Sequence, residues 1–233
     1  MILAIVQARC SSTRLPGKVV APVAGRAMIL RQIERLQRCE MIDQLVVATS
    51  TDSSDDSLVK MLQAEQISVR RGSLDDVAGR FQLVAREFEP TTIVRLTADC
   101  PLADPEVIDR VIRAHTDAGS DYTSNTLERT YPQGLDVECV SSAAFTRLLA
   151  LPLTASEREH VTLGIYQRPD EFSLQSVVQQ PDLSQLRWTV DVPEDLAFVR
   201  AVYDSLYHDN PNFAQADVLE LLERTPGMSR VND

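Results

Sequence analysis

The 233-residue chain has little from which to build a metal centre or a disulfide framework. Cys10, Cys39, Cys100 and Cys139 are widely spaced, and no C-x-x-C occurs. His115, His160 and His208 do not pair with them at ligand spacing. A zinc site is therefore not expected, nor are structural disulfides in a reducing compartment. Free thiols in or near a core are the default reading. No apolar run approaches the ~18 residues that cross a bilayer, so no membrane partner is expected. The start, Met-Ile-Leu-Ala-Ile-Val-Gln, has no basic segment before its apolar run and reads as a buried strand in a cytoplasmic protein. Cations are also in deficit. Lys and Arg total 23 against 34 Asp and Glu, a formal net charge of −11, which argues against a nucleic-acid partner. Internal repeats and low-complexity linkers are missing too.

What is present is ordinary for a globular chain, with 44% hydrophobic and 24% charged residues. Strands and helices alternate. "ILAIVQ" (2–7) and "QLVVATS" (44–50) are near-continuous apolar runs, as for parallel strands buried on both faces. "ISVRRG" (67–72) and "TTIVRLTADCP" (91–101) supply two more strands. Helices are expected over 27–39, 55–66, 73–88 (with Ser73 as cap) and 104–119, the last with Asp104 at its cap and Gly119 as its stop. The second half is more mixed. Strands are expected at 121–125, 134–140, 172–179 and 186–193, and helices at 141–151, 156–168, 194–206 and 213–225, before a loosely held tail (226–233). This β-α-β-α series implies an α/β fold, a mixed and mostly parallel sheet flanked by helices. One domain over 1–233 is the simplest organisation.

One short stretch concentrates the scarce cations. "QARCSSTRLPGKVV" (7–20) follows the first strand directly. In a parallel sheet, ligands collect beyond the carboxyl ends of the strands. Ala8, Ser11, Ser12 and Gly17 are small enough for backbone amides to approach an anion, and Arg9, Arg14 and Lys18 add charge-assisted bonds. The pattern suits a polyphosphate, although it is neither G-x-x-x-x-G-K-[ST] nor G-x-G-x-x-G. A solvated basic loop with a Pro-Gly turn is the alternative.

Together with "GRAMILRQIERL", this stretch resembles the opening of the cytidylyltransferases that activate acidic sugars with CTP. These include the acylneuraminate and 3-deoxy-manno-octulosonate enzymes and the branch named after spore coat polysaccharide biosynthesis protein F. "VVATSTDSSDD", "RGSLDDVAGRF", "VRLTADCPLADPEVID", "DYTSN", "YPQGLDVE", "EREHVT" and "WTVDVPEDL" follow in order, so the resemblance spans nearly the whole chain. It implies a nucleotide-diphospho-sugar transferase fold (GT-A-like, Rossmann-like), transfer of CMP from CTP to a small acidic sugar, a divalent cation such as Mg²⁺, and a homodimer. The nucleotide would occupy about 1–120; the acceptor and the dimer contact would use about 121–185.

The resemblance also distributes roles. Asp99 and Asp191 would hold the metal; each could instead cap a turn or a helix. Lys18 and Arg9 would neutralise the phosphates, with Gln7, Ala8, Ser12, Arg14, Asp76, Arg80, Thr97 and Ala98 around the nucleotide. Thr97 stands where related enzymes carry a Gln facing the base, which shifts base reading toward backbone groups of residues 6–8. Asn125, Asp136, Glu138, Arg158, Glu159 and His160 would meet the acceptor, with His160 able to orient or deprotonate the attacking oxygen. Turn, solvent-facing and helix-start roles are the alternatives for these residues. Glycosyl transfer from a nucleotide sugar is the competing reaction, but the D-x-D motif usual there is replaced by Thr97-Ala98-Asp99. A non-catalytic nucleotide-binding module is the other alternative.

Overall fold

The computed structural model describes residues 1–232. Its strands are β1 (Ile2–Gln7), β2 (Pro22–Val23), β3 (Arg26–Ala27), β4 (Gln44–Ser50), β5 (Val69–Gly72), β6 (Thr92–Thr97), β7 (Tyr122–Ser124), β8 (Glu138–Ser141) and β9 (Leu174–Ser176). Its helices are α1 (Met28–Leu36), α2 (Asp56–Ala64), α3 (Val77–Phe88), α4 (Pro105–Ala118), α5 (Ser142–Leu149), α6 (Ala155–Glu159), α7 (Leu163–Tyr166), α8 (Pro193–Leu206) and α9 (Gln215–Arg224). Seven strands form one sheet in the order β5-β4-β1-β6-β8-β7-β9; β2 and β3 pair apart from it. Only β8 runs against its neighbours in that sheet.

The two-residue side-chain period of β1 assigns its faces. Ala4 and Val6 enter a core with α1, α4, α8 and Trp188; Leu3 and Ile5 enter one with α3, α5 and α7. The order places β4 and β5 on one side of β1 and β6 on the other. The carboxyl ends of β1 and β6 therefore border the crevice where such sheets bind ligands.

Several local expectations change. Asp76, not Ser73, caps α3, accepting from the Gly79 amide at 2.9 Å. Residues 186–193 form no strand; isolated bridges join Gln133 to Arg187 and Leu186 to Val231. Trp188 and Val190 are apolar because they pack into the core, so burial here imitates a strand pattern. The helix expected at 156–168 breaks into α6 and α7. Of the tail, Arg230 and Asn232 are tied down through Arg187 N→Arg230 O (2.9 Å) and Asn232 N→Gln185 O (2.8 Å); Asp233 lies outside the described residues. The four cysteines are free, and burial pushes Cys39 up to about 12.

Gly134 joins the two halves of this arrangement. Its φ is +110°, and an added Cβ would lie 2.5 Å from the Thr189 nitrogen and 2.6 Å from the Trp188 carbonyl carbon. Backbone atoms cannot move aside as a side-chain tip can. Gly134→Ala should therefore cost about 3 kcal/mol, combining overpacking with a left-handed backbone. A urea midpoint within a few tenths of a molar of wild type would contradict this.

Candidate active site

A cleft of about 310 Å³ opens at the carboxyl ends of β1 and β6. Of the residues assigned from sequence, Gln7, Ala8, Arg9, Ser12, Arg14, Lys18, Arg80, Thr97, Ala98, Asp99, Glu159, His160 and Asp191 line it. Thr13, Val19 and Val77 join them without having been expected.

The opening loop is shaped from within. The Cys10 carbonyl accepts from the amides of Ser12 and Gly17, both at 2.9 Å, and Gly17 adopts φ 71°. A buried carboxylate anchors the loop from below. Asp55 accepts from the Cys10 amide at 2.7 Å, from Thr49 Oγ1 at 2.9 Å, and from the Ser50 hydroxyl and amide. Among the described residues, the amides of Thr13 and Arg14 donate to no protein atom, so they are available to an anion. The amides behind them are committed: Ala8 N donates to Ala48 O at 3.1 Å, and Ala98 N to Gln7 O at 3.0 Å. Among the described residues the Ala8 carbonyl accepts no hydrogen bond, so it is a backbone group of residues 6–8 still open to a base.

Lys18 is the hub. Gly17 turns the chain into a short 3-10 segment, Lys18–Val20, and the buried ammonium spends all three protons. They go to Asp99 Oδ2 (3.1 Å), Asp191 Oδ1 (3.0 Å) and the Val190 carbonyl (2.7 Å). Arg14 and Arg187 each add a contact to Asp191 at 2.9 Å. Burial pushes the Asp191 carboxyl up, but Lys18, Arg187 and Arg14 outweigh it, and the group lies below the usual carboxylate range. Neither aspartate caps a helix or turn. Asp195 takes that role for α8, accepting from the amides of Asp191 and Val192 at 2.9 and 3.2 Å.

Asp195, in the first turn of α8, does more than complement the helix dipole. Its side chain is 0% exposed and paired with Arg187 (3.1 Å) and Arg230 (3.0 Å). The C-terminal segment thus braces Asp191 through Arg187. A carboxylate at the third position of a helix that opens on proline was the available signal for this brace.

Arg80 is 3% exposed and lines the cleft, yet among the described residues its Nε and Nη1 have no protein partner. Burial depresses its pKa, and Arg9 nearby depresses it further. An unpaired buried guanidinium is costly, and an anionic or carbonyl-bearing ligand would complete it. On the opposite wall, Val161 is a buried β-branched residue at φ +52°. Such a conformation persists only where the surroundings enforce it. Here it turns the chain between α6 and α7 and presents His160 to the cleft. Arg9 and Glu159 pair across the mouth at 3.6 Å.

Five assigned residues do not line the cleft. Asn125 is buried and clamps the 125–137 turn, donating to Leu135 O (2.7 Å) and accepting from Val137 N (2.9 Å). Asp136 is held by Arg129 through two bonds. Glu138 pairs with Arg95 at 2.8 Å and accepts from Thr162 Oγ1. Asp76 caps α3 and pairs with Arg158 at 3.2 Å. Each side chain is occupied by a structural partner that sequence spacing does not reveal.

The carboxylates predict acid behaviour. Burial raises the Asp55 carboxyl, but donation from Cys10, Ser50 and Thr49 holds it below its ordinary value. Asp191 and Asp195 are likewise depressed. A depressed carboxyl contributes stability that is complete above its unfolded value of about 4 and is lost as pH falls through the lower folded value. Melting temperature should therefore fall steeply below about pH 4, and less steeply in Asp55→Asn, as followed by calorimetry across pH.

A mixed, mostly parallel sheet with a cationic loop facing two carboxylates at the switch point defines a Rossmann-like nucleotide-binding fold. A family model described as cytidylyltransferase matches residues 3–213, and the chain belongs to the cytidylyltransferase family. Spore coat polysaccharide biosynthesis protein SpsF of Bacillus subtilis (strain 168) is 34% identical over 97% of this chain and 95% of its own. A cytidylyltransferase from Leptospira borgpetersenii serovar Hardjo-bovis (strain JB197) superposes with TM-score 0.93 and 26% identity, covering 100% of this chain and 98% of that one. A CMP:2-keto-3-deoxy-manno-octonic acid synthetase, solved with CTP, shares the fold at TM-score 0.68 and 16% identity, covering 88% and 98%. No helix among the described residues is long and apolar enough to cross a membrane.

Proposed function

We propose that this cytidylyltransferase moves CMP from CTP to an oxygen of a small acidic sugar, with release of pyrophosphate, in surface polysaccharide synthesis. The observation that carries this reading is the convergence of Asp99 and Asp191 on one cation, the Lys18 ammonium, beneath the arginines of the opening loop. Two carboxylates converging on a cation at 3.0–3.1 Å form a donor set suited to Mg²⁺, which takes only one or two protein carboxylates. Among the described residues, no larger group of His, Cys, Asp and Glu competes for it. A divalent cation held by these two residues would screen the phosphate charge and polarise the phosphoryl group under attack.

The protein's own part is positioning and charge neutralisation. The free amides of Thr13 and Arg14 and the side chains of Arg9 and Arg14 receive the β- and γ-phosphates, and Lys18 would join them once a divalent cation takes the place of its ammonium between Asp99 and Asp191. The Arg80 guanidinium meets the base or ribose. The acceptor oxygen, aligned between His160 and Glu159, forms a bond to the α-phosphorus. The bond from that phosphorus to the β-phosphate's bridging oxygen breaks in line. His160 or Glu159 takes the hydroxyl proton, and the loop cations stabilise the leaving pyrophosphate. The acceptor would lie against the 121–185 part, where the edge strand β9 and the exposed Tyr166 and Val178 also suit a homodimer.

The test is a screen of four nucleoside triphosphates against a panel of acidic sugars, with Mg²⁺, following pyrophosphate. CTP should support release and the other three should not. Free nucleoside diphosphate from a nucleotide sugar would instead favour glycosyl transfer, and nucleotide binding without turnover would favour a binding module.

A further inference from the structure

We propose that Gln7 is a specificity-determining residue whose side-chain amide reads an oxygen of the second substrate, and that Arg95 and Glu138 are positioning residues that aim it. This rests on the functional reading above.

The observation is a half-buried chain of polar contacts on the cleft floor. Gln7 ends β1 and lies beside Thr97 in the β1–β6 register. Arg95, two residues earlier on β6 and on the same face, donates from Nε to Gln7 Oε1 at 3.0 Å. Arginine has no acceptor, so this contact assigns the amide oxygen to Arg95 and leaves the NH₂ end for the cleft. Gln7 lines the cleft, and among the described residues its side-chain amide is engaged only through Oε1, by Arg95, with no protein acceptor at Nε2. Arg95 is held in turn. Its Nη1 lies 2.8 Å from Glu138 Oε1, directly opposite in the β6–β8 register, and the other Glu138 oxygen accepts from Thr162 Oγ1. Thr162 follows the strained Val161, so one network fixes Gln7 and the turn that presents His160.

A charged pair this deep in a sheet contributes little net stability and is costly to keep. Its geometric effect is specific: it converts a freely rotating amide into a fixed pair of donors. The Arg95 contact draws the Gln7 amide oxygen toward β6, the strand that pairs with β8, whereas Arg80 lies against Gly72 of β5. Fixed donors there match a carboxylate, carbonyl or hydroxyl oxygen of the sugar, at the level where Thr97 offers only a short hydroxyl.

The test combines pyrophosphate kinetics with the sugar panel above and CTP affinity by calorimetry without sugar. Gln7→Glu keeps the shape and the bond to Arg95 but removes the donors. Gln7→Leu removes both. Each should raise the acceptor KM about tenfold or more, the loss expected for one aimed hydrogen bond, while CTP affinity stays within about twofold. Arg95→Met/Glu138→Met removes both charges together, so neither is left buried alone. It should raise acceptor KM by a similar factor at nearly unchanged melting temperature, a split that a purely structural role would not produce. Unchanged acceptor KM in both Gln7 variants, or a loss confined to CTP affinity, would overturn the inference. A wild-type enzyme that turns over no member of the panel would overturn the functional reading itself.

Discussion

Lys18→Ala should lower turnover by about 10²–10³, the loss typical of removing one preorganised transition-state donor, without unfolding the protein. Three acceptors converge on the ammonium, and two of them are the carboxylates Asp99 and Asp191. Without it no cation lies between the two acids. Asp191 keeps Arg14 and Arg187, both at 2.9 Å, so its position survives. Among the described residues, the Asp99 carboxylate has only a long 3.5 Å contact from Cys100 Sγ in addition to Lys18, so that side chain would be freed. The damage should therefore appear in kcat while melting temperature changes by only a few degrees. Turnover within threefold of wild type would show that the hub is a packing feature, not part of the chemistry.

Asp195→Ala should produce the largest loss of stability. The side chain is fully buried and satisfies two guanidinium groups and two backbone amides at once. Burial raises its carboxyl, and Arg187, the Asp191 amide, Arg230 and the Val192 amide together bring it below the usual range. Truncation leaves Arg187 and Arg230 without their shared anion, a defect that costs about 3–5 kcal/mol. For a chain of this size that corresponds to roughly 6–20 °C in melting temperature. Activity should fall as well, because Arg187 holds the second Asp191 oxygen at 2.9 Å. A shift of under 2 °C by calorimetry would show that the brace is dispensable.

The parallel half of the fold was legible because its strands are buried on both faces and read as unbroken apolar runs. β1 and β4 begin and end where the sequence places them. Asp104 and Gly119 bound α4 as their chemistry requires, with the Asp104 side chain accepting from Glu106 N and Gly119 at φ 60°. The second half was less legible. Residues 135–137 and 186–190 are mostly buried and lie outside the sheet, and apolar content alone cannot separate that state from a strand. The cationic loop and the two distant aspartates were readable because their residue types are scarce and chemically specific. Asn125, Asp136 and Glu138 lie outside the cleft for a reason the sequence does not show: whether a polar side chain faces a ligand or a protein partner depends on which segment lies beside it. Arg95 did leave a signal, a lone cation in the alternating run "TIVRLT" that had to find a buried partner.

The central claim is that the amino-terminal loop receives a triphosphate opposite a metal shared by Asp99 and Asp191. A crystal structure with CTP and Mg²⁺ tests it most directly. The phosphate tail should lie against Thr13, Arg14 and Lys18, and Asp99 and Asp191 should hold the cation. A nucleotide bound away from the 7–20 loop, or a metal that neither aspartate contacts, would contradict it.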